Sequence, residues 1–295
     1  MEKGTGLLLR KPKLRSFRAS TVLGAADTAL PETFCLPDER VPDVRDQGNV
    51  GACVAFAITN IMQICEWVEN HVKKRFSAGY VYGKCRQEPG WGMYVDEALD
   101  YLIKLGSCPE KDFDILVENP EMFNLVQYRT DLDEKAEPYK IKAYVHIPAW
   151  ADKKRRYREL KQALYEYRIP ILAVCPSYFG ESHAVCIVGW NEKKQTFRVV
   201  NSWGTEWKED GIGDIPYKAV EEGYILLDDK NSEKLMPFKD VPENEWYYKA
   251  IKYMYSAGLM QGTSADTFEP ERAMTRAEFA QALYNLCKKL DEREA

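Results

Sequence analysis

Gln47-Gly48-Asn49-Val50-Gly51-Ala52-Cys53-Val54-Ala55-Phe56 is where two unlike kinds of sequence meet. Before it, Pro12, Pro31 and Pro37 punctuate residues 1 to 40 and no periodicity is sustained, which predicts an extended lead-in lying on another part of the chain. After Gly51, the apolar positions Val54, Ala57, Ile58, Ile61, Ile64, Cys65 and Val68 recur at helical spacing. They describe a helix from Ala52 or Cys53 to about Lys74 with one strongly buried face. A thiol in the first turn of such a helix meets the positive end of its dipole and free N–H groups, both of which favour a thiolate.

Working outward, Asp96 to Leu105 reads as a second helix, closed by Gly106. Tyr157 to Tyr167 reads as a charged amphipathic helix following the basic run Lys153 to Arg156. Strand signals come later: Ile171–Val174, Ala184–Val188 and Phe197–Val200 are short β-branched or apolar runs bounded by Pro, Gly, Asn and charged residues. Helices first and strands afterwards predict an α+β fold of two packed halves. The charged stretch Asp228 to Lys234 reads as a linker, followed by helical stretches at about 244–256 and 274–289. Some 60 residues in two or three helices are marginal alone, so this tail is expected to pack on the main domain or on copies of itself.

A thiol nucleophile needs an oriented base and donors for the developing oxyanion. His183 stands at a loop-to-strand transition, with Val185 and Ile187 to anchor it at the rim of a sheet. Asn201 follows another strand and precedes Ser202-Trp203-Gly204, so its amide oxygen can accept from one ring nitrogen while Trp203 shields that bond from water. A lone cysteine at a helix start is more often a small buried hydrophobe, and a lone histidine before Ala-Val more often structural. The conjunction of these residues in this order reverses both readings.

The segment 47–56 resembles the nucleophile segment of papain-like cysteine peptidases, and Asn201-Ser202-Trp203-Gly204 is similar to that family's third-member motif. His183 and Asn201 lie 130 and 148 positions beyond Cys53, within the ~130 to 150 expected for that family. The resemblance spans about residues 30 to 228. It implies a papain-like two-subdomain fold, a helical half plus an antiparallel β half, with a catalytic set Cys53, His183, Asn201 and Gln47. Gln47 and the Cys53 N–H would supply the oxyanion hole, and Cys53 and His183 would rest as thiolate and imidazolium. Gly90-Trp91-Gly92-Met93 resembles the strand that binds substrate backbone; Ser182, Met93 and Trp203 are further expected substrate contacts. Val50, Ala52 and Val54 depart from the usual Cys, Ser and aromatic, and Val50 removes the disulfide that commonly braces this loop. Residues 1–35 are too short and irregular to resemble the family's helical prosegment; they read as a structural lead-in, self-trimming being the alternative.

Phe238-Lys239-Asp240-Val241-Pro242, Trp246, Gly258-Leu259-Met260-Gln261-Gly262, Thr267-Phe268-Glu269-Pro270 and Thr275-Arg276-Ala277-Glu278-Phe279 resemble one S-layer-homology (SLH) repeat. Thr275 and Glu278 have the spacing of a capping box, and Ile251, Met254 and Tyr255 offer a face for Phe279 and Leu283. The resemblance implies binding to polyanionic glycans of a Gram-positive envelope, with Asp240, Trp246 and Arg276 as contacts, or an oligomerising role. The expected division is a 1–35 extension, a 36–230 peptidase domain and a 236–292 SLH module.

A net charge of −5 gives no general basic field, so nucleic acid is not the expected partner; the basic residues Arg10 to Arg18 read as a solvated tail. Leu7-Leu8-Leu9 is far short of the ~7 to 15 apolar residues of a secretory signal core, so no export signal or membrane span is expected, although the SLH resemblance points to the cell envelope or a phage-related particle. Eight cysteines without a Cys-x-x-Cys pair read as reduced thiols of mixed burial, and with three histidines no metal or cofactor is expected. Two readings stand at this point: a cysteine endopeptidase working on peptides or proteins, or a catalytically silent papain-fold adaptor.

Overall fold

A computed structural model of the chain describes residues 4–9, 17–18, 29–87, 92–114, 121–149, 152–228, 238–242, 244–256, 259–264 and 267–294. The helix that opens at the nucleophile segment is α1, Cys53–Asn70. It stops short of Lys74 because His71 turns left-handed (φ 56) and its N–H closes on the Trp67 carbonyl at 2.8 Å. Every residue from Cys53 to Cys65 is buried, so this half of the helix is enclosed all round rather than on one face. Enclosure brings Thr59, Asn60 and Gln63 inside, and each is paired. Arg45 donates from Nε to Asn60 Oδ1 at 2.9 Å and from Nη2 to Thr59, while Gln63 accepts from the Asp43 N–H at 3.1 Å.

Around α1 lie α2 (Ala78–Cys85), α3 (Val95–Leu105), α4 (Glu121–Leu125) and α5 (Thr130–Ala136). Ser77 caps α2 by accepting from the Tyr80 N–H, and Gly106 ends α3 at φ 75 and ψ −163, a positive-φ backbone that favours glycine but is not the left-handed helical cap expected. α2 and α5 were not legible in the apolar pattern. The final helix of this region, α6 (Lys153–Tyr167), includes the basic run read as its forerunner, because Asp152 caps it by accepting from the Lys154 and Arg155 N–H groups.

The sheet contains β1 (Phe17–Arg18), β2 (Thr33–Cys35), β3 (Ala143–Ile147), β4 (Ile171–Cys175), β5 (His183–Asn191), β6 (Thr196–Val200), β7 (Ile212–Pro216) and β8 (Glu222–Leu227). Its order is β1-β3-β8-β4-β5-β6-β7, with β2 joined to β5. All pairings are antiparallel except β1 with β3. β5 is the longest because it serves β4, β6 and β2 in turn, and a register irregularity between Ile187 and Gly189 lets it change partners. At that point a Cβ on Gly189 would stand 2.5 Å from the Phe34 carbonyl oxygen, so only glycine lets β2 approach.

One continuous core joins α1 to the inner face of the sheet, and Cys186 on β5 donates its thiol to the Ala57 carbonyl of α1 at 3.4 Å. Helices on one side and an antiparallel sheet on the other are the α+β papain-like arrangement. All eight cysteines are unpaired thiols, with Cys35 and Cys287 exposed and the rest buried.

A second, small cluster of Phe238, Val241 and Ile251, flanked by Tyr247, Tyr248, Tyr255 and Phe268, organises the C-terminal region with α7 (Tyr248–Ser256) and α8 (Arg276–Glu294). The Thr275–Glu278 capping box forms: Glu278 accepts from the Thr275 N–H at 2.7 Å and Thr275 Oγ1 from the Glu278 N–H at 3.2 Å. Phe279 and Leu283 do not pack on α7 as expected; they are 57% and 45% exposed, because Phe238 and Phe268 already fill that face. The linker Asp228 to Lys234 lies, apart from Asp228, outside the described residues.

Candidate active site

Cys53 is the first residue of α1 and His183 the first of β5, two elements that share one core. The Ala184 N–H, one peptide beyond the imidazole, is near enough to the Cys53 thiol to lower its pKa. His183 Nε2 lies 2.8 Å from Asn201 Oδ1, an oxygen that only accepts, which makes Nε2 the protonated nitrogen and leaves Nδ1 with a lone pair. Nδ1 is buried and has no hydrogen-bond partner among the described residues. Asn201 is held in turn: its N–H donates to the Gly211 carbonyl at 3.0 Å, and its Oδ1 also accepts from the Ser202 N–H at 2.8 Å.

The ring of His183 packs against both Trp203 and Phe179, with centroids at 4.7 and 4.8 Å, and those two rings also meet each other edge-on at 5.3 Å, so the three form a triangle. Trp203 thus lies against the imidazole that Asn201 holds. Phe179 was missed; the aromatic pair Tyr178-Phe179 before Gly180, three residues from the histidine, was the available signal.

Gln47 is fully buried and oriented at both ends of its amide. Oε1 accepts from Ser202 Oγ at 2.5 Å, and Nε2 donates to the Val50 carbonyl at 2.8 Å and the Gly4 carbonyl at 3.1 Å. Ser202 therefore touches both the Asn201 and the Gln47 amides. Met93 is buried, and its N–H and carbonyl pair with Gly6 and Leu8 at 2.8 and 2.9 Å, while Gly92 accepts from the Gln87 N–H at 2.8 Å. Gly90 and Trp91 lie outside the described residues. Ser182 Oγ donates to the Pro176 carbonyl at 3.1 Å, bracing the loop before His183.

Residues 4–9 were expected to be a merely structural lead-in. Instead they cross the site. Gly4 donates to the Gly48 carbonyl at 2.9 Å, and its own carbonyl accepts from Gln47 and, at 3.1 Å, from Trp203 Nε1. The Gly6 N–H is among the groups that lower the Cys53 pKa, and Leu7 bridges Met93 in parallel. Burial beneath this segment pushes the Cys53 thiol up to about 11, against the donating N–H groups of Ala184, Gly6, Val54 and Cys53. The same burial pushes His183 down to about 4, opposed by the Asn201 bond. Removal of water penalises both charged forms, so burial favours the neutral thiol and neutral imidazole over the expected thiolate and imidazolium.

The sequence model described as papain family cysteine protease matches residues 30–225. The chain belongs to the papain family of cysteine proteases. Its class is therefore that of a peptidase, a hydrolase. A second model, the S-layer homology domain, matches residues 237–280. An uncharacterized peptidase C1-like protein of Acanthamoeba polyphaga mimivirus is 28% identical over 62% of this chain and 67% of its own length. The cellulosome-anchoring protein of Acetivibrio thermocellus is 40% identical over 26% of this chain and 18% of its own length. Among solved structures, xylellain, a cysteine protease from Xylella fastidiosa, has a TM-score of 0.61 at 22% identity, over 77% of this chain and 97% of that one. At that identity the likeness is one of fold.

The proposed contacts of the C-terminal module fall differently in space. Trp246 is 86% exposed and Arg276 is exposed at the start of α8, whereas the Asp240 carboxylate accepts from the Phe268 and Glu269 N–H groups at 2.9 and 2.6 Å and so organises a turn.

Proposed function

We propose that the chain is an endopeptidase that cleaves peptide bonds through a thioester intermediate, with Cys53 as nucleophile, His183 as base and acid, Asn201 as its orienting partner and Gln47 as an oxyanion donor. The observation that carries this reading is the His183 Nε2–Asn201 Oδ1 bond of 2.8 Å, which directs the unshared Nδ1 lone pair away from Asn201 and leaves it free to take the thiol proton. The thiolate adds to the carbonyl carbon of the scissile bond, and the oxygen gathers charge between the Gln47 Nε2–H and the Cys53 N–H. Collapse expels the amine, which takes the proton from His183. Water, deprotonated by the same imidazole, then hydrolyses the thioester and restores the thiol. Phe179 and Trp203 hold the imidazole plane throughout.

The same reading divides the chain into a peptidase domain at 36–230 and an SLH module at 236–292, the latter tethering the enzyme to an envelope glycan. The exposed Trp246 and Arg276 support that contact, an aromatic face for sugar and a cation for an anionic polymer. Asp240 supports it indirectly, by shaping the turn at 268–269.

Digestion of a peptide library tests the enzymatic reading. The full chain is expected to yield new peptide termini, and its Cys53→Ala variant none. Equal digests with and without Cys53 would refute it.

A further inference from the structure

The far end of α1 helps to wall a second cavity, remote from Cys53. Helix α1 carries the chain about 26 Å from Cys53 to Asn70, and Lys73 follows three residues later. On the sheet side, Val188 lies five residues along β5 from His183, about 17 Å. The cavity has a volume of about 340 Å³ and is enclosed by the segment that leads into α1, by Lys73, and by β2, β5, β6 and β7. That volume stands at the lower end of small-molecule sites, ~300 to 1,000 Å³, and so suits one small molecule rather than a polymer.

Four charged side chains line the cavity, and two are already committed. Asp43 accepts from Arg75 Nε at 2.8 Å and from Gln63 Nε2 at 2.9 Å, while Arg198 pairs with Glu209 at 2.8 Å and with Asp214 at 3.5 Å. The other two are not. The Asp38 carboxylate forms no hydrogen bond or ion pair among the described residues, and Lys73 Nζ forms one hydrogen bond, to the Val41 carbonyl at 3.3 Å. A carboxylate that only accepts and an ammonium with donors to spare therefore face the same space. The rest of the lining is aliphatic, apart from the Cys35 thiol: Val188 is buried, and Val41 and Ile212 are half-buried.

One uncommitted charge of each sign suits neither a simple anion nor a simple cation, because each would bring its own charge against the like one in the wall. A molecule carrying both charges satisfies both groups. From this lining we infer that the cavity is a binding site for a small zwitterion, a free amino acid or dipeptide with aliphatic side chains. Its ammonium sits on Asp38, its carboxylate on Lys73 and its side chains against Val41, Val188 and Ile212. Such a ligand touches the segment entering α1, the segment leaving it and the sheet, so it ties the helical half to the β half at the end away from the nucleophile. The inference goes beyond the peptidase reading and does not depend on it, since it concerns binding at a place where neither Cys53 nor His183 stands.

The probe is L-leucyl-L-leucine, titrated by calorimetry onto the full chain carrying Cys53→Ala, so that hydrolysis plays no part. Saturable one-to-one binding is expected. Acetylation of the amine, or amidation of the carboxylate, is expected to weaken binding at least about tenfold, as the loss of one charge-assisted contact does. Asp38→Asn is expected to erase the preference for the free amine and Lys73→Met the preference for the free carboxylate, each leaving the other preference in place. Both side chains are exposed, so neither change disturbs the core. Cys35 gives a local reading as an exposed thiol on the cavity wall. Dipeptide at ten times its Kd is expected to slow alkylation of Cys35 by N-ethylmaleimide about tenfold, with Cys287, the other exposed thiol, unchanged, both followed by peptide mass mapping. Absence of saturable binding, equal binding of free and capped dipeptides, or an unprotected Cys35 overturns the inference.

Discussion

Acid should act on this protein through His183 in a way that can be isolated by Gln, which keeps the shape and cannot take the proton. The unfolded chain binds a proton on this ring near pH 6.5, whereas the folded, buried ring resists it until about pH 4. Between those values the unfolded state holds more protons, so stability rises with pH across the window and is lost as pH falls through it. At ~1.4 kcal/mol for each tenfold, a gap of about 2.5 decades amounts to about 3 kcal/mol. Urea unfolding of wild type and His183→Gln at pH 7, 6, 5 and 4 reads the effect, and titrations common to both proteins cancel in the comparison. Wild type is expected to lose about 3 kcal/mol more than the variant between pH 7 and pH 4. Parallel stability curves would refute the argument, because they would mean that the ring is hydrated, or charged already, in the folded protein.

Two other perturbations have expected outcomes of comparable clarity. Arg45→Met should destabilise the main domain by about 3 to 5 kcal/mol in urea unfolding, since it leaves the Phe56 and Phe76 carbonyls, Asn60 Oδ1 and the Glu110 carboxylate without the buried guanidinium that satisfies them. Thr275→Ala removes one half of the capping box on α8, and amide exchange over the first turn of that helix should quicken about fivefold while the peptidase core is unaffected.

Much of the proposed catalytic constellation can be read from the sequence because its parts are written locally. A thiol at a helix start, an imidazole at a strand start and an amide after a strand are each marked by the punctuation of their own segment, and family spacing links them. β3, β7 and β8 were not legible in the same way. β3 and β8 are buried along nearly their whole length, and β7, although it alternates in burial, places Gly213 on the buried side and Ile212 on the half-exposed side, so period-2 patterning had little to show. Phe179 and Ser202 acquire their contacts from neighbours far along the chain, Phe179 from Trp203 and Ser202 from Gln47.

Sequence alone determined which residues could do the chemistry, since a sulfur, an imidazole and two amides are fixed by residue type and order. Tertiary structure alone decided the state they are in. The charge on the pair depends on whether water reaches it, and that depends on a strand from the far N-terminus lying over Cys53 with glycines where any side chain would collide. No local pattern records such an approach, because the contact joins segments more than forty residues apart and is made by backbone atoms that every residue shares.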